Sequence, residues 1–223
     1  MRGSDHIAIS TGSGLLLAAP FLQISPVACI VFLSGTVIGS LLPDADATDS
    51  KLNYMDGIAQ VFSLIMRPLI MPLTRLLFFL LRQPFDPGHR GSMHTIPGVL
   101  VYSLILSSIF AAILLLIRYW HGILVFFFFG LLFGGLLHIL EDSCTKSGVK
   151  PFYPFSTRKY TGTISTGSRR EERPGYYATA LFIAGGGVIV TGYTHDLQVL
   201  PMAALSLALF FSFWMLIIWI SRW

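Results

Sequence analysis

Charged residues are scarce in this sequence, and their scarcity narrows the class of protein it can encode. Asp, Glu, Lys and Arg make up 12% of the 223 residues, whereas a soluble domain carries about 25%. So little charge cannot cover a water-facing surface, which argues against a soluble enzyme. A hydrophobic content of 54% excludes a disordered chain. The composition therefore predicts an all-α, polytopic membrane protein with a single domain over residues 1–223.

Cysteine is also nearly absent, which excludes a disulfide framework and a paired CxxC zinc site. The two cysteines are Cys29, in an apolar run, and Cys144, in a polar loop. We therefore expect no bond between them. A nucleophilic role for Cys144 has no evident base to support it.

Long apolar runs are abundant, and a bilayer core of about 30 Å needs about 20 such residues in a helix. Four strong runs and two weaker, glycine-containing ones predict about six transmembrane helices in three hairpins. The strong runs are 25–42, 96–117, 123–140 and 200–220, and the weaker ones are 7–22 and 176–193. A secretory signal peptide is an alternative for residues 7–22, although Asp5 and His6 are unusual in a basic leader.

The basic residues indicate how these hairpins are oriented. Fourteen of the fifteen lysines and arginines lie on the side that receives the N-terminus, the longer loops and the C-terminus, and only Arg118 lies in a turn on the other side. By the positive-inside rule the basic side is cytoplasmic. The predicted protein is thus an integral inner- or plasma-membrane protein.

Residues 58–82 form a further apolar segment that does not fit the hairpin plan. The segment contains Arg67 and Arg75, followed by Arg82, and two prolines that should break or kink a helix. The arginine spacings of eight and seven place the three charges on one helical face. We expect an interfacial or re-entrant helix pair with its arginines toward lipid phosphates, and a seventh crossing is the alternative.

Histidines and aspartates concentrate at the predicted cytoplasmic ends of the spans. Four separate stretches each bring such residues to this face, while His121 and His195 lie on the other side and are expected to be solvated or capping residues. Each candidate alone could be an ordinary cap; their coincidence on one face favours a metal site. The candidate metal ligands are His6, Asp44, Asp46, His89, His94, His138 and Asp142.

The spacing of these residues suits metal binding. His138 and Asp142 are four residues apart on a predicted helix and share one face. Asp44 and Asp46 would point the same way in an extended turn after proline. Imidazole and carboxylate without thiolate favour zinc, manganese or iron. Seven ligands are too many for one ion, so we expect two or three divalent ions, a cluster typical of phosphoester hydrolysis.

Residues near these ligands suggest how a substrate would be held. Arg90 could clamp a phosphate, or it could be a plain anchor at the cytoplasmic face. Thr145, Ser147 and Gly148 could form a backbone anion cradle, and Lys146 faces either substrate or lipid. The basic loop 151–175 suits anionic headgroups, at about 1 kcal/mol per basic residue near the surface. Nucleic acid is a weaker interpretation of the same charges.

Three motifs resemble the YdjM family, which is described as inner-membrane, metal-dependent hydrolases and grouped with zinc-dependent phospholipase C and P1-type nucleases. The motifs are 39–46 with Ser50, 89–95, and 138–142 with Thr145, Gly148, Pro151 and Phe155. The resemblance covers most of residues 5–156, the motif-bearing part, and the C-terminal hairpin at 176–223 is generic. It implies metal roles for six of the seven candidates and makes Asp46 a ligand or a base. The sequence departs from the family pattern at Met93 and at Glu141, and we expect neither residue to touch the ligands.

The expected function is a membrane-bound, metal-dependent hydrolase of a phosphoester in a phospholipid or related lipid, with its active site at the cytoplasmic face. Zn²⁺ is the expected ion, and metals of this kind lower the pKa of a bound water to about 7. Asp44 or Asp46 would orient the water, and Arg90 would hold the departing charge. The lipid would approach laterally beside residues 58–82. A metal-ion transporter and a non-catalytic protein with a structural metal site are the alternatives.

Overall fold

The computed structural model describes residues 1–46, 57–88, 90–166 and 171–222. Within these ranges the chain forms seven α-helices and no β-strand, which confirms the all-α prediction. Short 3₁₀ turns precede or follow several of the helices. The helices are α1 (Gly3–Ala18), α2 (Pro26–Gly39), α3 (Gly57–Leu80), α4 (Ile96–Leu116), α5 (Val125–Ser143), α6 (Arg173–His195) and α7 (Val199–Ile220).

Five helical segments in the described part of the chain are long and apolar enough to cross a membrane. They are α2 with the turn that follows it (Pro26–Ala45), α4, α5 with the turn that precedes it (Gly122–Ser143), α6 and α7. The first helix has 16 residues, about 24 Å at 1.5 Å per residue, which is less than the ~30 Å hydrocarbon core. It ends because Pro20 lies in the 3₁₀ turn that follows and cannot continue an α-helical ladder. The predicted sixth span at 7–22 corresponds to a helix of the same length that begins and ends four residues earlier.

Helix α3 corrects the expectation of a helix pair at 58–82. It is one continuous helix that contains both Pro68 and Pro72. Its inner face is held by packing, since Ser63, Ile70 and Thr74 are fully buried. Tertiary packing of this face stabilises the helix despite the backbone hydrogen bonds that the prolines remove.

The arginines of this segment do not share one environment. We expected all three on one helical face, and this expectation is wrong. Arg67 is half-buried and Arg75 is exposed. Arg82 lies beyond the end of α3, with a left-handed φ of 53°. The helical spacing rule fails for Arg82 because the helix ends two residues before it.

Helices α2 and α5 make the closest helix–helix contact, along a line of four glycines that we call the glycine seam. Gly35, Gly39, Gly130 and Gly134 each face the backbone of the partner helix, so that an added Cβ would collide with main-chain atoms. Each pair has four-residue spacing, the arrangement that lets membrane helices approach closely. We expected this role for glycines of the weaker apolar runs, and the two GxxxG motifs, 35–39 and 130–134, are the sequence signal for the seam.

The remaining helices and the 144–166 loop close the bundle around this pair. Helix α1 packs against α6, and α4 packs against α5. The loop folds back through short bridges between Thr145 and Ile164 and between Val149 and Tyr160. Val149 and Ile164 are buried, so part of this predicted polar loop belongs to the core.

Both cysteines are free, as predicted. Cys144 lies just beyond the end of α5, where burial raises the pKa of its thiol. A thiol with a raised pKa is a poor nucleophile. This environment agrees with the expectation that Cys144 is not a catalytic residue.

Candidate metal centre

Four helix ends meet on one side of the bundle and bring five of the seven candidate ligands together. His6 lies near the start of α1, and Asp44 lies in the 3₁₀ turn after α2. His94 ends the turn before α4, and His138 and Asp142 lie near the end of α5. These five residues form two groups whose ligand atoms lie within 4.8 Å of one another and share His138. We call them the His/Asp cluster.

Four atoms of the cluster alternate nitrogen and oxygen around a closed ring. His94 Nε2 is 3.6 Å from both Asp44 Oδ1 and Asp142 Oδ2. His138 Nε2 is 3.7 Å and 3.8 Å from the same two oxygens. These separations are too long for hydrogen bonds. They are close to the distance of about 3.4 Å expected between two ligand atoms of a tetrahedral site in which each ligand is about 2.1 Å from the ion.

The protonation of His138 is determined by its second nitrogen. His138 Nδ1 is 2.6 Å from the carbonyl oxygen of Ser40. A carbonyl can only accept, so Nδ1 carries the proton and a neutral ring presents a lone pair at Nε2. Among the described residues, neither this Nε2 nor Asp142 Oδ2 has a hydrogen-bond partner, although both are buried. Unpaired buried polar atoms are costly, and a shared cation would satisfy both.

His6 joins the cluster through a partner that sequence reasoning missed. Its Nδ1 lies 2.5 Å from Glu141 Oε2, and Ser10 Oγ donates to Glu141 Oε1 at 3.0 Å. The His6 ring stacks on the His138 ring at a centroid distance of 3.9 Å. We expected Glu141 to touch none of the ligands, and this expectation is wrong. An acidic residue at the end of an apolar span was the available signal, because a buried carboxylate needs partners.

The charges of the site favour a divalent cation. Asp44, Asp142 and Glu141 supply three carboxylates. The cations among the described residues of the site are the Arg90 guanidinium and the Met1 α-amino group, which interacts electrostatically with Asp142 and Asp44. With neutral histidines and all of these groups charged, the site keeps a net negative charge. Buried charges are paired or bind metal, so the residues present fit the metal that the sequence implies.

Arg90 binds a member of the cluster instead of standing apart as a phosphate clamp. Its Nη2 donates to Asp142 Oδ1 at 2.6 Å, and its Nη1 donates to Thr145 Oγ1 and to the Gly148 carbonyl, both at 3.3 Å. Its backbone has a left-handed φ of 64°, uncommon for a residue with a side chain. This geometry leaves Asp142 Oδ2 as the oxygen that faces His94 and His138.

Two of the three amides of the predicted anion cradle, those of Thr145 and Gly148, make hydrogen bonds within the chain, and the cradle itself stays a prediction. The amides of Thr145, Lys146 and Gly148 donate to Asp142 O, Ile164 O and Thr145 Oγ1 respectively. The loop folds back on itself and uses these donors internally. Lys146 is exposed. A substrate role for these three residues would therefore need side chains or a different loop conformation.

The segment around Asp44 also differs from its predicted form. Pro43–Asp46 is a 3₁₀ turn, so the alternation of an extended chain does not apply to Asp44 and Asp46. The side chain of Asp46 and all of His89 lie outside the described residues. The expected ligand roles of these two residues stay predictions.

The centre is closed on most sides and is most accessible beside α3. The side chains of Asp44 and Arg90 are 15% and 16% exposed, whereas those of His94, His138 and Asp142 are at most 1% exposed. Ser63 of α3 donates to the carbonyl of Asp44 at 3.2 Å. A ligand would therefore reach the cluster past Asp44 and Arg90.

Comparison with known proteins gives a match to a protein family. The family described as YdjM inner membrane protein matches residues 1–219. No curated protein matches the chain, and no solved structure does. The family match covers nearly the whole chain, including the C-terminal hairpin that the sequence analysis treated as generic.

Proposed function

We propose that this chain, which belongs to the YdjM inner membrane protein family, is a metal-dependent hydrolase that cleaves a phosphoester of a membrane lipid. The observation that supports the proposal most directly is the ring of four donor atoms from His94, His138, Asp44 and Asp142. Two of these atoms are buried without a hydrogen bond among the described residues. A site built in this way is suited to a cation and poorly suited to remain empty.

The four ring residues would hold a divalent ion, with His6 as an additional ligand. Zinc is the first choice for imidazole and carboxylate ligands, and manganese or iron would also suit them. When bound, such an ion supplies the Lewis acidity on which hydrolysis of phosphoesters depends. A second ion would require Asp46 or His89, the two remaining predicted ligands.

The residues of the chain itself would prepare the site for this chemistry. Arg90 holds one oxygen of Asp142 and so directs the other toward the two histidines of the ring. Asp44 is the most accessible carboxylate of the cluster, so it is the one that would contact an incoming water or substrate. Burial of the other ligands keeps bulk water out, which strengthens electrostatic interactions within the site.

A lipid substrate is supported by the surface beside the opening. The outward face of α3 is largely apolar, although α3 is not among the helices long and apolar enough to span a membrane. A phosphate at Asp44 and Arg90 could continue into acyl chains along this face. The exposed large hydrophobic residues of the helix are Val61, Leu64, Leu69, Leu76, Phe79 and Leu80, and Arg75 is an exposed charge among them.

The position of the cluster favours an enzyme over a transporter. Transporters bind their ions near the membrane midplane, often at broken helices. Here His6 is three residues from the start of α1, and His138 is five residues from the end of α5, about 8 Å along the axis. The excess of basic residues on this side supports a cytoplasmic location for the site.

The test uses the full chain purified in detergent. We expect at least one tightly bound transition metal per chain by elemental analysis, and release of phosphate or a phosphorylated headgroup from phospholipid micelles with Zn²⁺ or Mn²⁺. His138→Ala should abolish both, and His195→Ala, at an exposed position on the other side, should abolish neither.

Other outcomes would contradict the proposal in distinguishable ways. Protein without metal would remove its basis. Metal without hydrolysis, but with ion flux in proteoliposomes, would favour the transporter. Metal that only raises thermal stability, lost in His138→Ala with no turnover in either protein, would indicate a structural site.

A further inference from the structure

We infer that Glu141, held by Ser10, is a positioning residue that fixes His6 as a metal ligand. The inference rests on the metal centre proposed above and adds a residue that was not among the candidate ligands. It assigns Glu141 no contact with the ion or substrate. Its effect on the metal would pass through the imidazole of His6.

Glu141 is held in place by its burial and by two hydrogen bonds. Its carboxylate is fully buried between α5 and α1. Both of its oxygens bond to α1, one to Ser10 and one to His6. These two residues are four apart and share one helical face. A buried carboxylate bonded on both oxygens has a fixed orientation, so it can in turn fix the ring that it contacts.

The contact with Glu141 determines the direction in which the His6 ring faces. With the proton on Nδ1 toward Glu141, the lone pair of Nε2 is on the opposite side of the ring. This Nε2 is 3.9 Å from Asp142 Oδ1. Stacking on His138 fixes the plane of the His6 ring. Glu141 and Asp142 are consecutive residues of α5, about 100° apart around the helix. Their carboxylates therefore lie on opposite sides of the His6 ring, Glu141 at Nδ1 and Asp142 near Nε2.

A second histidine of the cluster, His138, is oriented through its Nδ1 as His6 is. Its partner there is the Ser40 carbonyl. Metal-binding histidines almost always donate their other N–H to a carboxylate or carbonyl, which fixes the tautomer and raises ligand basicity. Both kinds of partner occur here: a carboxylate at Nδ1 of His6 and a carbonyl at Nδ1 of His138, whose rings stack on each other.

The alternative role for Glu141 is purely structural: a hydrogen-bonded link between α1 and α5, which we call a clip. A clip would affect the stability of the metal-free protein and leave the ligand strength of His6 unchanged. A positioning residue would affect metal affinity and the spectrum of the bound ion. It would also lose its effect once His6 is removed, because it has no other route to the metal.

The experiment titrates the full, chelator-stripped chain in detergent with Co²⁺, whose visible absorption reports its ligands. We expect Glu141→Gln, which retains an oxygen acceptor for Nδ1, to weaken Co²⁺ binding about tenfold, and Glu141→Leu about 100-fold. Both should change the absorption spectrum. In a His6→Ala background, Glu141→Gln should weaken binding no further, because pairs that act through one contact are not additive.

Two serines of α1 provide a matched control. Ser10 and Ser13 are both fully buried, but Ser13 accepts a hydrogen bond from Trp214 Nε1 at 3.2 Å and does not contact Glu141. Ser10→Ala should weaken Co²⁺ binding severalfold, and Ser13→Ala should not. This pair decides the question if the Glu141 variants fail to fold.

Wild-type affinity in Glu141→Gln or in Ser10→Ala would overturn the inference. Equal loss of Co²⁺ affinity in Ser10→Ala and Ser13→Ala would also overturn it. So would a Glu141→Gln change that weakens Co²⁺ binding as much in the His6→Ala background as in the wild type. Failure of the wild-type chain to bind Co²⁺, Zn²⁺ or Mn²⁺ is a different result. It would overturn the metal centre itself, and with it the proposed function.

Discussion

The glycine seam joins α2 to α5, and the His/Asp cluster lies at one end of this pair with further residues from α1 and from the turn before α4, yet the two regions use opposite chemistry. The seam has no side chains, and the two backbones touch. The cluster, at the end of the same helices, consists of polar side chains held a few ångströms apart. Ser40 follows Gly39 directly, and its carbonyl bonds His138 at 2.6 Å. The comparison teaches that the close approach at the seam sets the distances on which the cluster depends.

The largest expected effect would come from breaking the seam. In Gly134→Leu, the new side chain would collide with the Thr36 carbonyl and the Ser40 backbone. We expect a loss of about 3 kcal/mol or more in the free energy of unfolding, because an overpacked backbone contact cannot relax locally. Bound metal should fall with it. Thermal unfolding of the detergent-purified protein measures the first effect and elemental analysis the second.

The control for this variant is Gly186→Leu in α6, where an added Cβ would meet no atom within 4 Å. We expect that variant to unfold like the wild type. If the two leucine variants were equally stable, the seam would not hold α2 and α5 together, and the comparison would lose its basis.

The second prediction breaks the cluster and leaves the seam intact. His138→Ala removes one of the four ring donors and should weaken metal binding by more than about 100-fold, since loss of an outer partner alone costs about 10- to 100-fold. A 100-fold change corresponds to about 2.7 kcal/mol. Metal titration of the stripped protein measures it. Binding within threefold of wild type would show that His138 is not a ligand, whatever its position in the ring.

The third prediction sharpens the role of Arg90 at the edge of the cluster. Arg90→Lys keeps the charge but not the planar fork that reaches Asp142, Thr145 and Gly148 together. We expect metal affinity to fall about tenfold, or about 1.4 kcal/mol. Titration with Zn²⁺ measures the change. Unchanged affinity combined with a lower hydrolytic rate would instead assign Arg90 to the substrate.

The smallest expected effect comes from a polar contact remote from both regions. Arg173 donates two hydrogen bonds of 2.7 Å to Glu171 and lowers the pKa of its carboxyl from 4.5 to about 2. A lowered folded-state pKa gives stability that is present above pH 4.5 and is lost as the pH falls toward 2. Glu171→Gln should therefore cost about 1 kcal/mol or less at pH 7.

The measurement is the difference in unfolding free energy between Glu171→Gln and the wild type at several pH values. This difference should shrink between pH 4.5 and 2, and metal content should be the same in both proteins. A loss of metal in this variant would mean that the cluster depends on more than the end of the α2–α5 pair.

Much of the fold follows from local sequence patterns. Hydropathy predicted the five long helices, because the burial of apolar residues in a membrane depends mainly on composition over about 20 positions. The convergence of His6, Asp44, His94, His138 and Asp142 was also predicted, because each is close to a span end on one side. Neither inference needed any knowledge of which helices touch.

Other features required contacts that a sequence pattern does not contain. Helix α3 continues through its two prolines because its inner face is packed. The extended turn predicted for Asp44 is a 3₁₀ turn. Arg90 bonds a ligand carboxylate where a free clamp was expected, and Glu141 bonds His6 where no contact was expected. Each outcome depends on a partner distant in the chain.

The sequence by itself thus determined the membrane class, the approximate spans and the face that carries the polar residues. These properties depend on residue type and on distances along the chain. Tertiary structure decided which atoms meet: the ring of four donors, the Ser40–His138 bond and the Glu141–His6 pair. The physical reason is that hydropathy places a helix in the membrane without fixing its neighbours. Backbone contact between glycines is what brings α2 and α5 into this particular register.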